Sequence, residues 1–244
     1  MLFPIGDDQV KGGHFPLFSY GFILLNLGIY LIQIQFSDEL ICSFGTIPSN
    51  IASGRDFYTL LTSMFLHGGW MHLIGNMLFL WVFADNIEAT VGNMRFLGFY
   101  LLGGLAAVLT HIYFAGDGSS YAEFCCSPCG NGIPCESGMT ACNDAIPMVG
   151  ASGAISAVMG AYLVMFPRSR VKLLFLVFPF RLPAFLFLGF WIGQQWFNGI
   201  ASLDPLTGAA DGVAWWAHIG GAVFGVLVGG LFRITQANHF EVEG

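Results

Sequence analysis

Apolar residues fall in six runs along this chain, and the polar positions collect between them. The runs cover residues 15–36, 71–87, 96–114, 151–166, 183–200 and 213–232. Each approaches the ~20 apolar residues needed to cross ~30 Å of hydrocarbon, the second and fourth being short. The pattern predicts an all-α integral membrane protein, a bundle of six transmembrane helices spanning residues 15–232. A short N-terminus, residues 1–14, precedes it and a short tail, residues 233–244, follows. The segment 171–180 is apolar but interrupted by Pro179 and followed by Pro183, so it is left outside the helices as a re-entrant or interfacial piece.

Composition agrees with this reading. The 244 residues are 55% hydrophobic and 9% charged, whereas a soluble domain carries about 25% charged residues. Mean hydropathy is +0.70. No polar stretch is long enough for a soluble domain, and no small-x-small cleavage site follows the first run, which is read as a retained span. A net charge of −7 offers nothing to nucleic acid. Eight residues are basic: Lys11, Arg55, Arg95, Arg168, Arg170, Lys172, Arg181 and Arg233. Setting both termini in the cytoplasm brings all of them except Arg55 inside, as the positive-inside rule requires.

That topology makes spans two, four and six parallel, and depth follows from helix rise. His218 lies about 15 residues before Arg233, Ser152 about 16 before Arg168, and His72 about 16 before Glu88. Three polar side chains at one level make a site. Ser152 stands at the mouth of span four between Gly150 and Gly153, where the backbone can turn tightly and a neighbouring chain can approach. At that depth, backbone outside a helix is tolerated only where it lines water or is covered by protein, so a cavity is expected around Ser152. Gly221, Gly225 and Gly229 give span six a small-residue stripe and Gly153, Ala157 and Gly160 give span four another. These two helices are expected to touch.

Each residue also has a plainer reading. Ser152 can be a small residue at a helix contact, and His218 an interfacial histidine beside Trp215 and Trp216. Together they form a nucleophile and its general base. His72 and Asn76, four apart on one helix face, can donate hydrogen bonds to a developing oxyanion alongside the Ser152 N–H. His67 precedes the span and faces elsewhere, which suits a structural role. A helical zinc site is disfavoured, because His67 and His72 are five apart and no glutamate follows the first.

The segments Gly150-Ala151-Ser152-Gly153, His67…His72…Asn76 and Ala217-His218-Ile219-Gly220-Gly221 with Gly225 resemble the rhomboid family of intramembrane serine proteases. The likeness extends from the first span to the last. It implies a six-helix rhomboid bundle with Ser152 and His218 as nucleophile and base, and with His72 and Asn76 completing the oxyanion hole. It further implies a structural His67, structural glycines Gly150, Gly153, Gly221 and Gly225, and no cofactor or metal. The implied activity is an endopeptidase acting in the lipid bilayer on single-span membrane proteins; the alternative is an inactive rhomboid-like binder of transmembrane helices. The compact form suggests a multi-pass protein of a prokaryotic inner membrane. Glu88 and Arg95 resemble the family's cytoplasmic acidic and basic pair. Two positions depart from the family: Ser156 stands where some bacterial relatives have a tyrosine packed on the base, and Phe57-Tyr58-Thr59 where a Trp-Arg pair is common. Another aromatic, such as Trp191 or Trp196, would then have to orient His218.

Six cysteines stand apart from the resemblance. Cys125, Cys126, Cys129, Cys135 and Cys142 crowd the loop 116–149, and Cys42 follows the first span. All lie on the external side, where disulfides form. If all six pair, one bridge must join Cys42 to the loop cluster. Zinc bound by four of them is the competing reading, since Cys126-x-x-Cys129 has ligand spacing.

Overall fold

A computed structural model of the chain describes residues 2–10, 12–36, 38–115, 126–129, 135, 142, 144–203 and 213–235. In chain order these form β1 (Leu2–Gly6), α1 (Leu17–Phe36), α2 (Asp38–Phe44), α3 (Pro48–Ala52), α4 (Thr59–Thr62), α5 (Trp70–Val91), α6 (Asn93–Ala115) and α7 (Ser152–Met165), followed by β2 (Arg170–Phe175), β3 (Phe178–Pro183), α8 (Ala184–Ala201) and α9 (Trp215–Thr235). The chain is mostly helical, and α1, α6 and α9 are long and apolar enough to cross a membrane.

The helix that positions the site is α7. It is only 14 residues long and buried on every side, packed against α5, α6, α8 and α9. Its small residues set the spacing. A Cβ added at Gly225 would come within 1.9 Å of the Ala157 carbonyl oxygen, and one at Gly221 within 2.1 Å of the Gly153 carbonyl oxygen. The α7–α9 seam is therefore backbone against backbone, which fixes where the two helices stand relative to each other. At the far end of the seam, Arg233 Nη1 donates to the Val164 carbonyl at 2.7 Å, satisfying one of the last carbonyls of α7.

The helix α5 runs past residue 87 through a polar last turn. Asp85, Asn86 and Glu88 are all buried there, and Asp85 accepts from the Asn86 N–H at 2.7 Å. The Glu88 carboxylate accepts from the backbone N–H groups of Phe18 and Ser19 and from the Ser19 hydroxyl, at 2.7–2.8 Å. It thus supplies the first turn of α1 with acceptors that its own sequence lacks. Asn86 donates to Asp7 at 2.7 Å and accepts from the Val10 N–H at 2.8 Å.

The expectation of an all-helical chain is corrected at this end of the bundle. The three strands form one antiparallel sheet in the order β1-β2-β3. The segment left as a re-entrant or interfacial piece is the β2–β3 hairpin, and part of the short N-terminus is its third strand. Alternation explains the hairpin: Val171 and Leu173 are buried while Arg170 and Lys172 are exposed.

On the opposite end, the segment before α7 is held by residues just after α2 and α4. Thr46 and Met148 exchange backbone hydrogen bonds of 3.0 and 2.8 Å, and the Gly150 N–H donates to the Ser63 carbonyl at 2.9 Å. Cys42 is bridged to Cys129, and Cys126 to Cys135. Cys142 is also disulfide-bonded, while Cys125 lies outside the described residues. Among those described, no cysteine is free.

Candidate active site

Ser152 is the first residue of α7 and has no side-chain cap before it. The first N–H groups of an α-helix lack partners within the helix, so those at Ser152 and Gly153 stand at the positive end of a dipole. The serine opens into a cavity of about 600 Å³. His72, Asn76, His111, Trp191 and His218 contribute to its walls.

The Ser152 hydroxyl lies 2.9 Å from Nε2 of His218. Nδ1 of the same ring lies 2.8 Å from Oε1 of Gln195 on α8. The amide end is fixed by its other contact: Gln195 Nε2 donates to the Trp191 carbonyl at 3.2 Å. Oε1 can only accept, so the proton of a neutral His218 sits on Nδ1, and Nε2 presents its lone pair to the serine. Trp191 lies tilted against the His218 ring with centroids 5.8 Å apart, and Trp215 meets it edge-on at 6.2 Å. Of the two aromatics considered from sequence, Trp191 reaches the histidine and Trp196 instead meets Trp216. Ser156 donates its hydroxyl to the Ser152 carbonyl at 2.6 Å, which leaves the face of His218 to the tryptophans.

Gln195 was missed from the sequence. The signal was a pair of amides, Gln194-Gln195, inside an apolar run, the second of them on the face where Leu188 is also buried. Its role depends on a partner 23 residues away.

His72 and Asn76 meet the backbone just before the serine. Gly150 has φ +124, and a Cβ there would fall 2.9 Å from His72 Nε2 and 3.6 Å from Asn76 Nδ2, so only glycine lets the three converge. The Gly68 N–H donates to His72 Nδ1 at 3.3 Å, which leaves the ring proton on Nε2. Asn76 Nδ2 is buried without a partner among the described residues. An unpartnered buried donor beside a cavity is costly unless a ligand accepts from it. Two side-chain donors and the start of α7 thus converge on one region.

His67 is fully buried and stands apart from this set. Gln33 clamps its backbone, accepting from the His67 N–H at 3.0 Å and donating to its carbonyl at 2.6 Å. Its ring packs edge-on to His72 at 5.3 Å. Gly153, Gly221 and Gly225 lie in the α7–α9 seam, outside the reacting groups. The first loop is anchored without a Trp-Arg pair: the Tyr58 hydroxyl donates to the Ser43 carbonyl and Thr46 Oγ1 to the Thr59 carbonyl, both at 2.8 Å. No group of three or more metal-ligating side chains gathers among the described residues.

A rhomboid-domain family model matches residues 54–234, more than half of the chain. Curated proteins similar to it include RHOMBOID-like protein 12, mitochondrial, of Arabidopsis thaliana, 28% identical over 85% of this chain and 56% of that protein. Rhomboid protease AarA of Providencia stuartii is 28% identical over 84% of this chain and 69% of its own length. Rhomboid protease GluP of Bacillus subtilis is 31% identical over 61% of this chain. The chain spans about half the length of the Arabidopsis protein and about a quarter of GluP. Mitochondrial relatives stand beside bacterial ones, which removes the support for a prokaryotic inner membrane in particular. The matched domain covers every element from α4 to α9, including the seam that carries the serine and the histidine, and the chain belongs to the rhomboid family.

Proposed function

We propose that this chain is an intramembrane serine endopeptidase that crosses the bilayer six times, with α1, α5, α6, α7, α8 and α9 as spans and both termini in the cytoplasm. One observation carries the catalytic reading: the 2.9 Å contact between Ser152 and a His218 whose other nitrogen is already engaged. Ser152 Oγ attacks the scissile carbonyl of a substrate as His218 Nε2 takes its proton, giving a tetrahedral oxyanion. That oxyanion accepts from the Ser152 N–H, His72 Nε2–H and Asn76 Nδ2–H. His218 then returns the proton to the leaving amine, and a water molecule hydrolyses the acyl-enzyme by the same route. Substrates are single-span membrane proteins, because a serine at the end of a 14-residue helix lies below the membrane surface.

The test is incubation of purified wild type and Ser152→Ala with a panel of single-span substrates, alongside labelling of Ser152 by a fluorophosphonate. Cleavage and labelling by the wild type, both abolished in the variant, are expected. Binding of transmembrane helices with neither cleavage nor labelling would mark the chain as an inactive rhomboid-like binder instead.

A further inference from the structure

The β2–β3 hairpin takes no part in the site, and its surface is unlike that of a water-exposed hairpin. Two-residue turns between antiparallel strands favour Asn-Gly, Asp-Gly or Gly, because at least one residue must adopt positive φ. Here the turn is Leu176-Val177, and Leu176 holds φ 56 in spite of its side chain. With Phe175 and Phe178 they form a tip of four consecutive apolar residues, 48, 74, 77 and 69% exposed in chain order. Behind the tip the surface is basic. Lys172 pairs directly with Arg181 across the strands, and Arg170 follows two residues away on the same face. Like charges placed opposite each other destabilise a strand pair. Asp8 reaches this sheet, but its Oδ2 accepts from the Arg170 backbone N–H at 2.8 Å. The hairpin leaves the end of α7 and returns directly into α8, so it lies where two bilayer-embedded helices meet one surface of the membrane.

We propose that this hairpin is a binding element for anionic phospholipid. The Phe175–Phe178 tip enters the boundary between headgroups and acyl chains, and a lipid phosphate sits between Lys172 and Arg181. Insertion removes the apolar tip from water. The phosphate turns the cross-strand repulsion into two attractions, and cations near an anionic leaflet gain about fivefold in affinity each. A soluble acidic protein would complement the cations but would leave the tip in water, and a neutral bilayer would cover the tip but leave the cations facing each other. An anionic bilayer satisfies both. This proposal requires no catalysis and stands or falls separately from the protease reading.

The test uses the full chain carrying Val177→Cys, labelled with a nitroxide without reductant and reconstituted into phosphatidylcholine vesicles with or without phosphatidylglycerol. Electron paramagnetic resonance then compares collisions with oxygen, which concentrates in lipid, against those with a water-soluble nickel chelate. The expected result is a label shielded from the chelate and open to oxygen when phosphatidylglycerol is present. Adding Lys172→Gln and Arg181→Gln should lower its inserted-to-free ratio about thirtyfold. A label as open to the chelate as a free nitroxide in both vesicle types would overturn the proposal. So would equal shielding in both types, because the phosphate would then play no part. The labelled Val177→Cys chain with Lys172 and Arg181 intact, compared in the two vesicle types, suffices if the charge variants fail to fold.

Discussion

Replacing Gln195 with leucine removes one acceptor from the site while nearly conserving volume, so the α8–α9 packing should survive. What changes is the His218 ring. Its Nδ1–H loses the partner 2.8 Å away and is left buried, and the tautomer that presents Nε2 to Ser152 is no longer favoured. The magnitude follows from when the bond matters. In the resting protein it joins two neutral groups and is worth about 1 kcal/mol net. Once His218 has taken the serine proton, the donor is an imidazolium, and a hydrogen bond to a charged group is worth about 1.5–3 kcal/mol. The interaction is therefore strongest in the transition state. Only the difference of about 0.5–2 kcal/mol acts on the chemical step, so its loss should lower kcat about 2- to 30-fold with little change in KM. The assay is steady-state cleavage of a single-span substrate by wild type, Gln195→Leu and Gln195→Glu, supported by nitrogen-15 shifts of the His218 ring. Gln195→Glu keeps an acceptor in place and should recover most of the turnover, and Gln195→Leu should move the ring proton toward Nε2. Wild-type kcat in Gln195→Leu, or a raised KM shared equally by both variants, would refute the reasoning.

Three further outcomes are expected. His72→Ala and Asn76→Ala should each lower kcat about 100-fold, on the order of 3 kcal/mol for one oxyanion donor, while fluorophosphonate labelling of Ser152 remains detectable; full activity in both would remove them from the oxyanion hole. Reduction of the Cys42–Cys129 bridge should lower the thermal unfolding temperature in detergent, since such links contribute about 2–4 kcal/mol, and should lower cleavage at temperatures below unfolding; six alkylatable thiols in the untreated protein would sink the idea. Burial lifts the Asp7 carboxyl from its ordinary 3.8 to about 7, opposed by the donors Tyr162, Asn86 and Gln9 and assisted by the charge of Asp85. A carboxyl raised in the folded state gives stability that is fully present below about pH 4 and lost as pH rises through 7, on the order of 4 kcal/mol. Melting curves between pH 4 and 8 should therefore fall for the wild type and lie flatter for Asp7→Asn, and parallel curves would disprove the assignment.

Ser152, His218 and His72 could be named together from sequence because depth in a membrane is a one-dimensional quantity. Counting from Ser152, His218 and His72 to the charges that end their helices needs only the rise per residue. The α7–α9 contact was legible for a related reason, since glycines at four-residue spacing leave a groove whatever fills it. The sheet was not. Residues 171–180 lie between apolar helices, and Pro179 and Pro183 hid the alternation of Arg170, Val171, Lys172 and Leu173. The five residues of β1 are too few to show a period and become a strand only beside β2. Span two appeared to end near residue 87, because Asp85, Asn86 and Glu88 look like a water-exposed terminus until their partners in the N-terminal segment are known. Gln195 acts on His218 through a tertiary contact between α8 and α9, which no local pattern encodes.

The capping of α1 by Glu88 has a consequence for how the molecule is made. Ser19 and Glu88 are separated by 69 residues, and translation adds roughly 5–20 residues per second. For several seconds, then, the first helix exists without the carboxylate that will satisfy its opening turn. During that interval water has to serve the same N–H groups. Only when the end of α5 emerges can its carboxylate displace that water, so this link in the assembled bundle closes after the first helix has been synthesised.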